Sequence, residues 1–248
     1  MRTEHRRWLE AKDYNPDVIR TLLSRISRAE QDYGDLDALY SGDRLESVLA
    51  SLKYTSEDAR RGVPNPSKIN IGGDFYNGLA SYKSTVALYR RFLDETGDVQ
   101  AGESPVNTGR IRSQETDPGQ RVGLERDLQK ALRREIEQLE PGLTIIDEGV
   151  ERYVPSGYID ITARDRNGNT VVIELKAGTA DRAAVGQILS YMGDVAEEDS
   201  SAVRGLLVAH DFDAKSKAAA RMVPNLGLRS YAVRFAFLDP VTKSEDRT

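Results

Sequence analysis

Three residue types at a particular spacing mark the chemistry of this chain. Asp160 lies in Gly157-Tyr-Ile-Asp-Ile-Thr, and Glu174 and Lys176 lie in Val171-Val-Ile-Glu-Leu-Lys, with Arg166-Asn167-Gly168 between the two segments. Side chains alternate along a strand, so Glu174 and Lys176 share one face and Ile173 and Leu175 the other. Asp160 shares a face with Tyr158 and Thr162. Register decides whether the carboxylates meet. A two-residue Asn-Gly turn pairs Asp160 with Leu175 and separates them. A three-residue loop over Arg166-Asn167-Gly168, with Gly168 left-handed, pairs Asp165 with Asn169 and sets Asp160 opposite Glu174, Cβ atoms about 5 Å apart. The bulged three-residue turn is the expectation.

Two carboxylates at that distance repel unless a cation lies between them. The chain has no cysteine and two histidines, His5 and His210, so thiolate and multi-histidine zinc sites are disfavoured. Oxygen ligands point to Mg²⁺ or Mn²⁺, held by Asp160, Glu174, water and the carbonyl of Leu175. Such an ion activates water and offsets charge on a scissile phosphate. Lys176, on the same face, is placed to orient the water or stabilise that charge. Gln187 and Tyr191 follow at i, i+4 on a helix, with Val185, Ile188, Leu189 and Met192 on its packing side.

The elements that must position these residues read as follows. A helix from Gln120 to about Leu139 ends at Pro141-Gly142. Strands are expected over residues 143–150, 157–165, 170–176, 204–209 and 228–238. Helices are expected from Thr179 or Asp181 to about Val195 and over 215–225. The order α-β-β-β-α-β-α-β is that of an α/β unit, a mixed sheet flanked by helices. Residues 1–97 read as helical, with Asn15-Pro16-Asp17 a helix start and Phe75 to Thr96 the last helix. Residues 98–119 are poor in large apolar side chains and read as a linker. The expected organisation is a helical N-terminal domain (1–97), a linker (98–119), a catalytic domain (120–240) and a tail (241–248). Tyr76, Tyr82 and Tyr89 read as packing residues, and the basic clusters at Arg6-Arg7, Arg60-Arg61 and Arg133-Arg134 as solvated helix faces.

With 39% hydrophobic and 30% charged residues the composition is that of an ordinary soluble protein. No apolar run approaches the roughly 20 residues of a membrane span. Absence of cysteine suits a reducing cytoplasm, the expected location. A net charge of −5 argues mildly against indiscriminate coating of nucleic acid, but not against a nuclease that needs carboxylates.

Asp160, Glu174-x-Lys176 and Gln187-x-x-x-Tyr191, behind a helix bearing Glu125, resemble the PD-(D/E)XK nuclease superfamily, the restriction-endonuclease-like fold in its RecB-type form. The stretch from Gly157 to Met192 and the strand Arg204-Gly-Leu-Leu-Val-Ala-His resemble, more narrowly, the C-terminal catalytic domain of the NucS (EndoMS) endonucleases, over roughly residues 118–238. The resemblance implies a Mg²⁺- or Mn²⁺-dependent deoxyribonuclease acting in DNA repair or restriction. It implies Asp160 and Glu174 as metal ligands and Lys176 as the catalytic lysine. Gln187 and Tyr191 would position DNA or the site, and Glu125 would support the metal. Two departures stand out: Ile159 replaces the Pro common before this Asp, and the NucS N-terminal domain is β-rich where residues 1–97 read as helical. Mismatch specificity is therefore not carried over. The helical domain is expected to select substrate, form a homodimer or dock a partner protein. A rival from another class is a catalytically silent nuclease-fold module that binds DNA or assembles; a degenerate site would have lost one of Asp160, Glu174 and Lys176. A sugar hydrolase gives no reason for Lys176 beside the acid pair.

Overall fold

The computed structural model describes residues 2–97 and 118–233. The expected linker lies outside the described residues except for its last two positions. The end of the last expected strand and the tail lie outside them altogether.

The first half is helical: α1 (Arg2–Ala11), α2 (Pro16–Tyr33), α3 (Leu36–Asp43), α4 (Glu46–Ser51), α5 (Ser56–Arg60) and α6 (Phe75–Gly97). Local chemistry sets the boundaries. Asn15 Oδ1 accepts the Asp17 amide ahead of Pro16, and Asp35 caps α3 in the same way. The stripe Ile19, Leu22, Ile26 and Ala29 on α2 is buried. α6 is the central helix, with Val86, Ala87, Tyr89 and Phe92 at 2% exposure or less. Tyr76 and Tyr82 pack partly buried against the same core, as expected of packing residues.

The second half begins with α7 (Pro118–Arg134) and a 3-10 turn (Ile136–Gln138). The strands are β1 (Thr144–Ile145), β2 (Arg152–Val154), β3 (Gly157–Ile159), β4 (Ile161–Arg164), β5 (Thr170–Ala180), β6 (Val203–Phe212) and β7 (Leu226–Ser230). α8 (Arg182–Glu198) and α9 (Ala214–Ala220) connect β5, β6 and β7. Five strands form one mixed sheet in the order β1-β4-β5-β6-β7. β1, β4 and β5 are antiparallel neighbours, whereas β5, β6 and β7 run parallel. α8 covers one face, over Val172, Leu207 and Ala209. Leu128 and Leu132 of α7 cover the other, over Val171, Ile173, Leu175 and Val208. The architecture is the expected α/β sheet with helices on both faces.

Several elements differ from expectation. The strand expected over 143–150 shortens to two residues, because Asp147 turns the chain by accepting the amides of Gly149 and Thr162. The strand expected over 157–165 breaks at Asp160 into β3 and β4. β3 pairs with the unforeseen β2 as a separate two-stranded ribbon. That ribbon packs on α6: Tyr158 donates to the Ala87 carbonyl at 2.8 Å, and Arg90 donates to the Tyr153 hydroxyl at 2.8 Å. The helix expected over 215–225 stops at Ala220. β5 runs four residues beyond the expected Lys176. Among the described residues no helix is long and apolar enough to cross a membrane.

Candidate active site

The hairpin turn sets the register. The Gly168 amide donates to the Asp165 carbonyl and the Asp165 amide to the Asn169 carbonyl, each at 3.0 Å, and Gly168 has φ +80°. This is the three-residue loop, made stable by Asp165, whose carboxylate accepts the amides of Asn167 and Asn169 at 2.9 Å. β4 and β5 then pair Ile161 with Ile173 and Arg164 with Thr170. Continued by one step, that register sets Asp160 across from Glu174.

At that step the sheet opens. β4 accompanies β5 as far as Ile173, the chain bends at Asp160, and β5 continues with β6 alone. The Leu175 amide, left without a strand partner on that side, donates to Asp160 Oδ2 at 2.8 Å. The Asp160 carbonyl is held by Gln129 Nε2 at 2.8 Å and Arg133 Nη2 at 2.6 Å. Arg133 also forks onto Asp147, so this cation turns inward and is not the solvated residue expected of its cluster.

Glu174 is 2% exposed. Its Oε1 accepts from Lys176 Nζ at 2.8 Å, and its Oε2 is buried without a hydrogen-bond partner. Burial raises the Asp160 carboxyl well above the usual range, and the Glu174 and Glu151 charges raise it further. Burial also raises Glu174, against the Lys176 ammonium beside it. Burial disfavours the charged form of Lys176, but the Glu174 carboxylate outweighs it and keeps the ammonium protonated.

Gln187 and Tyr191 sit on one face of α8, where Gln187 Nε2 donates to the Tyr191 hydroxyl at 2.8 Å. Tyr191 lies over Gly157, where a Cβ would come within 2.9 Å of its hydroxyl oxygen. Burial raises the Tyr191 phenol, which stays protonated. Glu125 Oε1 accepts the Ala177 amide at 2.9 Å, and the Tyr231 hydroxyl donates to the Ala177 carbonyl at 2.7 Å. Both steady β5 just past Lys176. Glu125 thus supports the end of the strand that carries the carboxylate. Leu175 buries its side chain in the sheet core.

The donor set suits a hard divalent cation. One carboxylate oxygen of Glu174 is buried and unpartnered, and the Glu174 charge adds to burial in raising the proton affinity of Asp160. Among the described residues no group of three or more His, Asp or Glu side chains gathers as a cage. Two carboxylates completed by a carbonyl and water is the pattern of Mg²⁺ and Mn²⁺ sites. Gln129, Glu151 and Tyr231 were not foreseen. Gln129 and Arg133 follow Glu125 at i+4 and i+8, a spacing that could have found them; Glu151 carries no such signal.

Residues 124–246 match the family described as the Endonuclease NucS C-terminal domain. Endonuclease NucS of Pyrococcus furiosus is 34% identical over 109 residues, covering 42% of this chain and 38% of that protein. Endonuclease NucS of Thermococcus kodakarensis is 34% identical over 96 residues, covering 39% of this chain and 37% of that protein. The chain thus spans well under half the length of these two relatives. Endonuclease NucS 2 of Halobacterium salinarum is 28% identical over 189 residues, 76% of this chain and 74% of that protein. A solved repair endonuclease of Pyrococcus abyssi aligns at TM-score 0.40 and 26% identity, covering 49% of each chain. An EndoMS–dsDNA complex aligns at TM-score 0.41 and 27% identity, covering 51% of this chain and 48% of that one. The C-terminal half of this chain is therefore similar in sequence to the C-terminal domain of the NucS endonucleases.

Proposed function

We propose that this protein is a Mg²⁺- or Mn²⁺-dependent endonuclease that hydrolyses phosphodiester bonds in DNA, in repair or in restriction. The observation that carries the reading is the fork at Asp160. There the register, carried one step past Ile161–Ile173, directs Asp160 toward Glu174, Asp160 accepts the Leu175 amide, Glu174 Oε2 is buried without a partner, and Lys176 is bonded to the other oxygen. The endonuclease names of the relatives support it.

Asp160, Glu174 and the Leu175 carbonyl would hold the cation. When bound, such an ion acidifies a ligated water and offsets charge on the phosphate. The chain's own groups do the rest. Lys176 keeps its proton and presents a fixed positive charge beside Glu174, where negative charge develops on the phosphate oxygens. Tyr191, protonated and held by Gln187, offers a hydroxyl above Gly157. Glu125 fixes the β5 backbone next to Lys176. The helical half would select substrate, dimerise or dock a partner protein.

The test is cleavage of labelled duplex, single-stranded, branched and mismatched DNA in Mg²⁺, Mn²⁺ or EDTA, by the wild type and Glu174→Ala. The expected result is cleavage that needs metal and falls at least a hundredfold in the variant, the scale of losing a principal charge-stabilising group. Cleavage surviving in Glu174→Ala would remove the site assignment. Silence on every DNA with binding intact would favour the binding-module alternative.

A further inference from the structure

A cavity of about 420 Å³ lies where α6 and α2 meet the β1–β4 edge of the sheet. The sequence of α6 leaves room for it. Asn77, Ala80, Ser81 and Ser84 follow at i, i+3, i+4 and i+7, so a strip of this helix carries small and polar side chains. That strip lines the cavity together with Thr162 and Arg164 of β4. None of Asp160, Glu174, Lys176, Gln187 and Tyr191 does so.

The cavity has an excess of positive charge, part of it uncommitted. Arg25, Arg152 and Arg164 line it against Asp147 and Glu148. Asp147 is engaged by Arg133 and by the amides of Gly149 and Thr162. Arg152 is held by Glu198 at 3.1 Å. Arg25 bonds Glu148, but that carboxylate is 51% exposed, so the pair is weak and open to exchange. Arg164 is exposed, and its guanidinium has no partner among the described residues. Thr162 gives an independent sign. It is 1% exposed, and its Oγ1 is buried without a hydrogen-bond partner. A hydroxyl left in that state costs stability, and here the chain itself supplies nothing to satisfy it. Tyr76 and Val150 add an aromatic ring and an apolar wall.

We infer that this cavity binds a small phosphate monoester with a cyclic body, the chemistry shared by nucleoside monophosphates and sugar phosphates. Its phosphate sits on Arg164 and Arg25, whose planar forks suit phosphate oxygens. Two arginines also match the charge of a monoester, close to −2 at neutral pH, better than that of a single carboxylate. The cyclic body lies against Tyr76 and Val150, and one of its oxygens accepts from Thr162 Oγ1. The volume falls within the roughly 300–1,000 Å³ of small-ligand sites. On binding, the phosphate replaces Glu148 on Arg25. The inference does not depend on the nuclease reading, because the cavity shares no lining side chain with the carboxylate pair.

The test is isothermal titration calorimetry of the full chain in EDTA with AMP, UMP, ribose phosphate, inorganic phosphate and adenosine. A monoester is expected to bind at least tenfold more tightly than inorganic phosphate or adenosine. Preference for AMP or UMP over ribose phosphate would name a nucleotide, and the reverse a sugar phosphate. Arg164→Gln should weaken binding at least tenfold, the scale of a hydrogen bond to a charged group. Glu148→Gln, which removes the competing carboxylate, should bind severalfold more tightly, a gain that a damaged fold would not produce. Thr162→Val should bind severalfold more weakly and yet melt at a higher Tm without ligand, because the unsatisfied hydroxyl is gone. Glu174→Ala should bind as the wild type does. Neither heat nor a shift in Tm with any probe at millimolar concentration, equal binding of inorganic phosphate and the monoesters, or unchanged affinity in Arg164→Gln would each overturn the site. Loss of binding in Glu174→Ala would move the monoester to the carboxylate fork and overturn it equally.

Discussion

At the scale of single residues, the site is a place where stability and function oppose each other. Asp160 is a half-buried acid at the opened edge of a sheet, beside the buried carboxylate of Glu174, whose Oε2 has no partner. Such a pair costs folding free energy without a cation. Asp160→Asn keeps an oxygen for the Leu175 amide and removes one charge. In EDTA at neutral pH it should therefore be more stable by about 1–2 kcal/mol, several degrees in Tm, while losing cleavage. A thermal melt with an unchanged or lower Tm would contradict the burial argument. The residue identities were legible because strand alternation and turn length together fix which side chains face which. Glu151 was not legible, because a loop residue is brought to the site by tertiary packing that no local period records.

At the scale of elements, the site depends on one turn. Gly168 holds φ +80°, and a Cβ there would meet nothing within 4 Å, so Gly168→Ala tests backbone conformation without a packing change. It should destabilise the protein by about 1 kcal/mol. Urea unfolding with an unchanged midpoint would argue against the bulged turn. The three-residue loop was readable from parity, since the two-residue alternative leaves the carboxylates on opposite faces. The break between β3 and β4 was not, because Gly157 to Asp165 alternates without interruption. What divides it is the competition of two partners, β2 for one end and β5 for the other. The shortening of β1 has a similar cause: Asp147 satisfies amides that a longer strand would have paired.

At the scale of the whole molecule, the halves are joined by buried charge. Lys83 of α6 bonds Glu198 of α8, which also accepts from Arg152 of β2 at 3.1 Å. Arg91 of α6 bonds Glu151 at 3.0 Å. A perturbation within the helical half should therefore register in both. His5 supplies one. It is 1% exposed among Trp8, Tyr89 and Phe92, neither ring nitrogen has a hydrogen-bond partner, and burial lowers its pKa from 6.5 to about 4. The unfolded chain takes up a proton near pH 6.5 that the folded chain refuses until about pH 4. Stability is thus full above 6.5 and falls on acidification through that window, by on the order of 3 kcal/mol. Urea midpoints of the wild type should drop relative to His5→Leu between pH 7 and 4.5. Fluorescence of Trp8, the chain's one tryptophan, should change together with far-ultraviolet dichroism. Parallel pH curves for the two proteins would contradict this. The helical character of this half was plain in its apolar spacing. Its packing on the β2–β3 ribbon was not, since Tyr153 and Tyr158 read equally well as solvent-facing strand residues until α6 covers them.

The claim on which the rest depends is that Asp160 and Glu174 form one divalent-cation site. It is tested most directly by electron paramagnetic resonance of Mn²⁺ titrated into wild type, Asp160→Asn and Glu174→Gln. The signal of free Mn²⁺ should be suppressed by the wild type until one tight site is filled, and Mg²⁺ should restore it. Either variant should lose that tight site. Equal uptake by all three proteins would place the cation elsewhere and contradict the account.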